Sequence, residues 1–202
     1  MAELRKQLND LIRKAGSKAK ARKEAEDWYQ SALTNFRNKE VVRGGFVRFM
    51  PGKIYVFRYD TPKTIQTLDW WDRNPIVLAL DPVEGNDCGI NLNLLSVELK
   101  EQLLDMVYDR LQSEIKSQTN RAPKNAQAQS RLSMSYAGAK RMLDRYGFGF
   151  AVRQYIPQLK ASQSVVAYEN WAQIALCDFI ELEGATVQQI RRQFANYRRT
   201  NI

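Results

Sequence analysis

Between Pro75 and Ile115 the apolar residues change period once, and this switch constrains the fold more than any other feature of the chain. PIVLALD, the turn signal PVEGND and CGINLNLL read as the two strands of a hairpin. Ser96 then stands at an N-cap position, and Leu99, Leu103, Val107, Leu111 and Ile115 follow at strict i+4 spacing, so residues 97–116 are predicted to form an amphipathic helix. Strands feeding directly into such a helix imply an α+β fold, with the helix stripe expected to cover the open face of the sheet.

Upstream, RGGFVRFMPGKIYVFRYD holds two more β-rich runs, punctuated by Gly44-Gly45 and Pro51-Gly52; Ile54, Val56 and Arg58 alternate with Tyr55, Phe57 and Tyr59. Three or four short strands of this kind suggest a small curved sheet or an SH3-like β-barrel. In WWDRNP, Trp70 or Trp71 is expected to dock onto the sheet. Asp72 should cap the turn, and Pro75 should bias Asn74 toward extended backbone.

Helical periodicity recurs at both ends. Residues 2–38 carry Leu4, Leu8, Leu11 and Ala15, then Trp28 or Tyr29, Leu33 and Phe36, with a break predicted at Gly16-Ser17. The intervening SKAKARKEAE has no large apolar side chain, so it is expected to be a solvated arm or a contact with a partner. SQTNRAPKNAQAQS reads as a surface loop. Residues 130–146 return to helix with Leu132, Tyr136, Ala139, Leu143 and Tyr146 inward, Arg131, Lys140, Arg141 and Arg145 outward, and Gly147 as the stop. FAVRQYIP is predicted to be a short strand ended by Pro157. SVVAYENWAQIALCDFIEL satisfies both the strand and the helix period, with strand favoured for QSVVAY and WAQIALC, and Thr186 is read as the cap of VQQIRRQFANYRR. The implied domains are a basic helical arm over 1–43, a small β-barrel with its packing helix over 44–116, and a helical and mixed part over 117–202 packed on the same core.

The 202 residues contain no histidine, which excludes Ser-His-Asp and Cys-His catalysis. Cys88 and Cys177 lack a CxxC spacing, so neither a disulfide framework nor a zinc site is expected. Glu98-Leu99-Lys100 has the E-x-K spacing of a nuclease superfamily, but it falls in the first turn of a helix, where Glu98 suits the helix dipole. PGK at 51–53 precedes a strand and does not match a phosphate-binding loop. Asp60, Asp69, Asp72, Asp81, Glu84 and Asp87 all read as turn residues. No cofactor, metal or catalytic residue is expected. No segment reaches the roughly 18 apolar residues of a membrane span, and the N-terminus lacks a signal-peptide core, so no membrane partner is expected.

The net charge is +9, distributed in blocks. Residues 1–53 carry +7 (13 basic, 6 acidic), 54–109 carry −6 (4 and 10), 110–160 carry +8 (10 and 2), 161–185 carry −4 (0 and 4) and 186–202 carry +4 (4 and 0). Basic helices would thus flank an acidic strand region. Either a polyanion is gripped by the helices or the blocks satisfy each other. Arg48-Phe49, Phe57-Arg58-Tyr59 and Tyr197-Arg198-Arg199 mix rings and cations as nucleic-acid binders do, though Phe57 and Tyr59 share one strand face and read better as core. The candidate phosphate-binding residues are Lys18, Lys20, Arg22, Lys23, Arg141, Arg145, Arg191, Arg192, Arg198 and Arg199.

PGKIYVFRYD, WWDRNPIVLALD and GINLNLL, with RQYIP, Trp171 and IALCDF farther on, resemble a family of tailed-bacteriophage virion proteins that includes DNA end protectors. The resemblance covers scattered patches between about residues 50 and 182 and leaves the basic N-terminal arm outside. It implies a non-enzymatic virion protein of the neck, tail or packaged DNA end, made in the host cytoplasm. Its partners would be other virion proteins and double-stranded DNA, in an assembly holding multiple copies. The alternatives are a neck, tail or baseplate subunit with no DNA role, and a ribonuclease toxin-like barrel that would have to rely on Arg and Asp chemistry.

Overall fold

The computed structural model describes residues 3–38, 48–59, 72–119, 134–178, 181–182, 185–186, 188–190 and 192. The fold is α+β, and the chain forms two compact units. The first unites Met1–Lys39, Ser96–Ser133 and Val166–Asp178; the second unites Glu40–Leu95, Met134–Val165 and Phe179–Ile202.

The first unit is helical. It comprises α1 (Glu3–Ala15), α2 (Lys18–Asn38), α3 (Val97–Thr119) and α5 (Trp171–Leu176). Gly16, at φ +81°, breaks α1 from α2, and the Ser17 hydroxyl accepts from the Lys20 amide at 3.2 Å, so the expected break and restart are both present. The segment read as a solvated arm or a partner contact is packed along one face only, with Lys18, Lys20, Lys23 and Glu24 exposed. Ala21 and Ala25 are buried at i+4, in line with Tyr29 and Leu33. Small side chains allow helices to approach closely, so the lack of a large apolar residue did not mean the lack of a partner.

The Ser96 hydroxyl accepts from the Leu99 amide at 3.3 Å, and α3 then runs as predicted. Leu103, Leu104, Val107, Tyr108 and Leu111 are buried, and α3 packs mainly with α1 and α5 of its own unit, where the sequence pointed to the face of the sheet. WAQIALC is not a strand but α5. Trp171, Ala172, Ile174, Ala175 and Leu176 are all buried and Gln173 is half-buried, so the segment is apolar on most sides and its period does not distinguish helix from strand. Trp171 meets Tyr108 edge-on at 5.9 Å and Tyr168 at 5.0 Å.

The second unit is built on an open five-stranded sheet of order β4-β3-β2-β1-β5, with β1 Ile54–Arg58, β2 Ile76–Val83, β3 Asn86–Asn91, β4 Val152–Tyr155 and β5 Ala161–Val166. The curved-sheet alternative therefore holds, and the sheet does not close into a barrel. β2 and β3 pair Val77 with Asn91 and Val83 with Asn86, leaving a two-residue turn. Its residues, Glu84 at φ 49° and Gly85 at φ 80°, supply the left-handed pair that matches hairpin twist. The register shifts between Leu80 and Val83, around Pro82, which cannot donate to the ladder; beside it the Asp81 amide donates to the Met134 carbonyl at 2.9 Å.

One face of the sheet carries the core cluster of Phe49, Tyr55, Phe57, Tyr59 and Tyr155, with Val77 and Ala79. Phe57 and Tyr155 meet edge-to-face at 5.2 Å, so Phe57 and Tyr59 are core residues, as their strand face implied. A two-stranded ribbon, β6 (Glu181–Leu182) with β7 (Ala185–Thr186), completes the strands.

The helix α4 (Tyr136–Asp144) starts later than expected, because Met134 and Ser135 are not helical and the Ser135 hydroxyl caps it by accepting from the Gly138 amide at 3.1 Å. Ala139 and Leu143 are inward, but Tyr146 is 61% exposed, against expectation. The helix ends there, with Gly147 at φ +80°, so the position that periodicity turns inward has passed the edge of the core. Trp70, Trp71, Asp60, Asp69, Leu132 and most of the 117–130 loop lie outside the described residues. Asp72 does cap its turn, accepting from the Asn74 amide at 3.1 Å. It also accepts from Asn91 Nδ2 at 3.2 Å and Asn93 Nδ2 at 2.6 Å, two residues of the neighbouring strand end.

Candidate nucleic-acid interface

The ten cations singled out from the sequence fall in both units. In α2, Lys18 Nζ lies 2.9 Å from Glu101 and Arg22 Nη2 lies 3.1 Å from Glu98, both on α3. The Glu98 carboxyl is held below its ordinary range by a backbone amide at the start of α3 and by Arg22. These two cations therefore stitch α2 to α3. Lys20 and Lys23 are exposed and unpaired among the described residues, but Glu24 and Asp27 are exposed on the same face at i+4 from each of them. The solvent face of α2 is thus balanced in charge.

In α4 the arrangement differs. Lys140, Arg141 and Arg145 are exposed, Arg141 and Arg145 stand at i,i+4, and neither arginine forms an ion pair among the described residues. Asp144, the one carboxylate of the last turn, is half-buried and packed against the Gly149 backbone, where its Oδ1 would lie 1.8 Å from any Cβ. The turn closes with hydrogen bonds from the Gly147 amide to the Asp144 carbonyl at 3.0 Å and from the Phe148 amide to the Leu143 carbonyl at 2.9 Å. Cations at this end also complement the helix dipole, which explains their position without any ligand.

Thr186 caps the last segment as expected. Its hydroxyl accepts from the Gln189 amide at 3.2 Å, and Gln189 Oε1 accepts from the Thr186 amide at 2.7 Å, a reciprocal capping box. Ile190 is buried and Arg192 exposed; Arg191, Arg198 and Arg199 lie outside the described residues.

Sequence reasoning passed over two features. The outer face of α1 exposes Arg5, Lys6, Arg13 and Lys14, although Arg5 reaches Asp105 at 3.6 Å and Arg13 reaches Asp10 at 3.0 Å. Their recurrence about two turns apart, eight positions from Arg5 to Arg13 and from Lys6 to Lys14, was the available signal. The second is Asp87, expected in a turn but buried within β3. Lys160 Nζ lies 2.5 Å from its Oδ2, Arg48 Nε lies 3.0 Å from its Oδ1, and the Lys160 ammonium sits 3.9 Å from the Phe49 ring centre. Nothing in GNDCG announces it.

The E-x-K triplet is structural. Glu98 is exposed and paired, whereas Lys100 is fully buried and donates to the Cys177 carbonyl. Burial lowers the Lys100 pKa to about 8 and pushes the Cys177 thiol up to about 12, with its Sγ donating to the Ala25 carbonyl at 3.2 Å. Among the described residues no three His, Cys, Asp or Glu side chains gather as a metal site would need, and no helix is long and apolar enough to cross a membrane.

The family described as Phage T4 terminal DNA protecting protein matches residues 1–185. The chain belongs to this family. Membership in the terminal DNA protecting family makes it a bacteriophage protein, and the match takes in the basic N-terminal helices that the motif resemblance left outside. No curated protein and no solved structure matches the chain.

Proposed function

We propose that this chain binds the ends of double-stranded phage DNA and shields them from exonucleases, acting by occupancy and without covalent chemistry. The observation that carries this reading is the family match over residues 1–185. The α4 cations support it, because Lys140, Arg141 and Arg145 form an exposed basic face with no exposed carboxylate in the same helix. The proposed phosphate contacts are Lys20, Lys23, Arg141, Arg145 and Arg192, with Arg191, Arg198 and Arg199 beside them in sequence. Lys18 and Arg22 would have to exchange an existing ion pair for a phosphate.

In the same proposal the protein is made in the host cytoplasm and acts in the virion, near the neck or tail, with other virion proteins and in more than one copy. The test is protection of linear duplex from an exonuclease by purified protein. Protection that weakens steeply with added salt is expected; equal digestion with and without protein at low salt overturns the reading. A nuclease-resistant stoichiometric complex with another virion protein, with no protection of DNA, would instead identify a structural subunit.

A further inference from the structure

Resting on the DNA-end reading above, we infer that Tyr146 is the group that distinguishes an end from internal duplex, by stacking on the exposed terminal base pair while Arg141 and Arg145 hold flanking phosphates. Internal phosphates recur identically along a duplex, so cations that contact them do not by themselves favour its end. Besides its terminal 5′ and 3′ groups, an end offers the open face of its last base pair, flat and weakly hydrated, and the group complementary to that face is an exposed ring.

Among the described residues the large exposed hydrophobic side chains are Met50, Met106, Tyr146, Ile156 and Val165, and of these Tyr146 alone is aromatic and is the most exposed, at 61%. It adjoins Arg145 in sequence and follows Arg141 within two turns. Its backbone is fixed: the Tyr146 amide donates to the Leu143 carbonyl at 3.1 Å, and the two hydrogen bonds that follow, with Gly147 in the left-handed region, close the turn. A ring displayed on a closed turn meets a base pair with little ordering left to do. Asp144, which could repel phosphate, is drawn against Gly149.

The test uses the full chain and two duplexes of one sequence, one with open blunt ends and one closed at both ends by hairpin loops. The wild type is expected to prefer the open duplex. Tyr146→Ala should shrink that preference by about tenfold with little change in affinity for the closed duplex, and Tyr146→Phe should retain it. Arg141→Ala and Arg145→Ala should weaken binding to both duplexes alike, each lowering the salt slope by about one. If the wild type prefers open ends and Tyr146→Ala keeps the full preference, the inference is overturned and the DNA-end reading stands. If the wild type binds both duplexes equally, the DNA-end reading falls with it.

Discussion

In the helical unit, several surface cations meet carboxylates: Lys18 with Glu101, Arg22 with Glu98, Arg5 with Asp105. In the sheet unit, two carboxylates are withdrawn, although Glu84 at the hairpin turn is exposed. Asp87 is buried between Lys160 and Arg48, and Asp72 is engaged by three hydrogen-bond donors, while the arginines of α4 remain exposed. Counting charge by segment left two readings open, a polyanion gripped by basic helices and repelled by the acidic strand region, or blocks that satisfy each other; the α2–α3 ion pairs fit the second, while α4, within a basic block, keeps its arginines exposed. The comparison teaches that a segment's formal charge says little about its surface until each charge is assigned a partner or a depth.

The largest expected effect tests the withdrawn carboxylate. Asp87→Ala leaves the buried Lys160 ammonium without its partner and should destabilise the chain by about 3–5 kcal/mol, read from chemical denaturation. A loss below about 1 kcal/mol would show that Asp87 is not the internal anchor of the sheet unit, and the comparison would break.

Next comes Lys100, the fully buried cation among the described residues of the helical unit. Folding lowers the Lys100 pKa from an ordinary 10.5 to about 8, so between those values the unfolded chain binds more protons than the folded one. Stability must therefore rise with pH in that window, by about 1 kcal/mol between pH 8 and pH 9. Above the ordinary thiol value of 9, Cys177, held protonated to about 12, acts in the opposite sense, so the lower unit is the clean one. Lys100→Met should abolish the rise, and an unchanged pH slope in that variant would show that Lys100 is not the group responsible.

Local rules accounted for what local rules govern. The β2–β3 hairpin, the Ser96 cap with its i+4 stripe, the Gly16 break and the Thr186 cap each lie within a few residues of the signal that announces them. Asp87 and Lys160 are separated by 73 positions, and no spacing rule joins them. α5 was missed because near-complete burial erases the period that separates helix from strand, and the packing of α2 because two alanines pack as well as larger residues when helices lie close. For the site, the exposed arginines were legible as residue types. Their freedom was not, since Arg22 and Arg141 look alike until Glu98 is placed beside one of them.

The smallest effect decides how far that last contrast reaches. The Lys18–Glu101 pair has side chains 43% and 26% exposed, so water screens it and Lys18→Ala should cost under about 1 kcal/mol. For DNA, the same pair predicts a near-silent substitution: a phosphate reaching Lys18 or Arg22 must displace a carboxylate already there, and the exchange releases little counterion. A protein with both Lys18→Ala and Arg22→Ala should therefore keep the wild-type salt slope for duplex binding, where loss of Arg141 and Arg145 together lowers it by about two. If the α2 pair lowers the slope by as much, the ion pairs open on binding, Lys18 and Arg22 join Lys20 and Lys23 in the interface, and paired cations count toward binding as unpaired ones do.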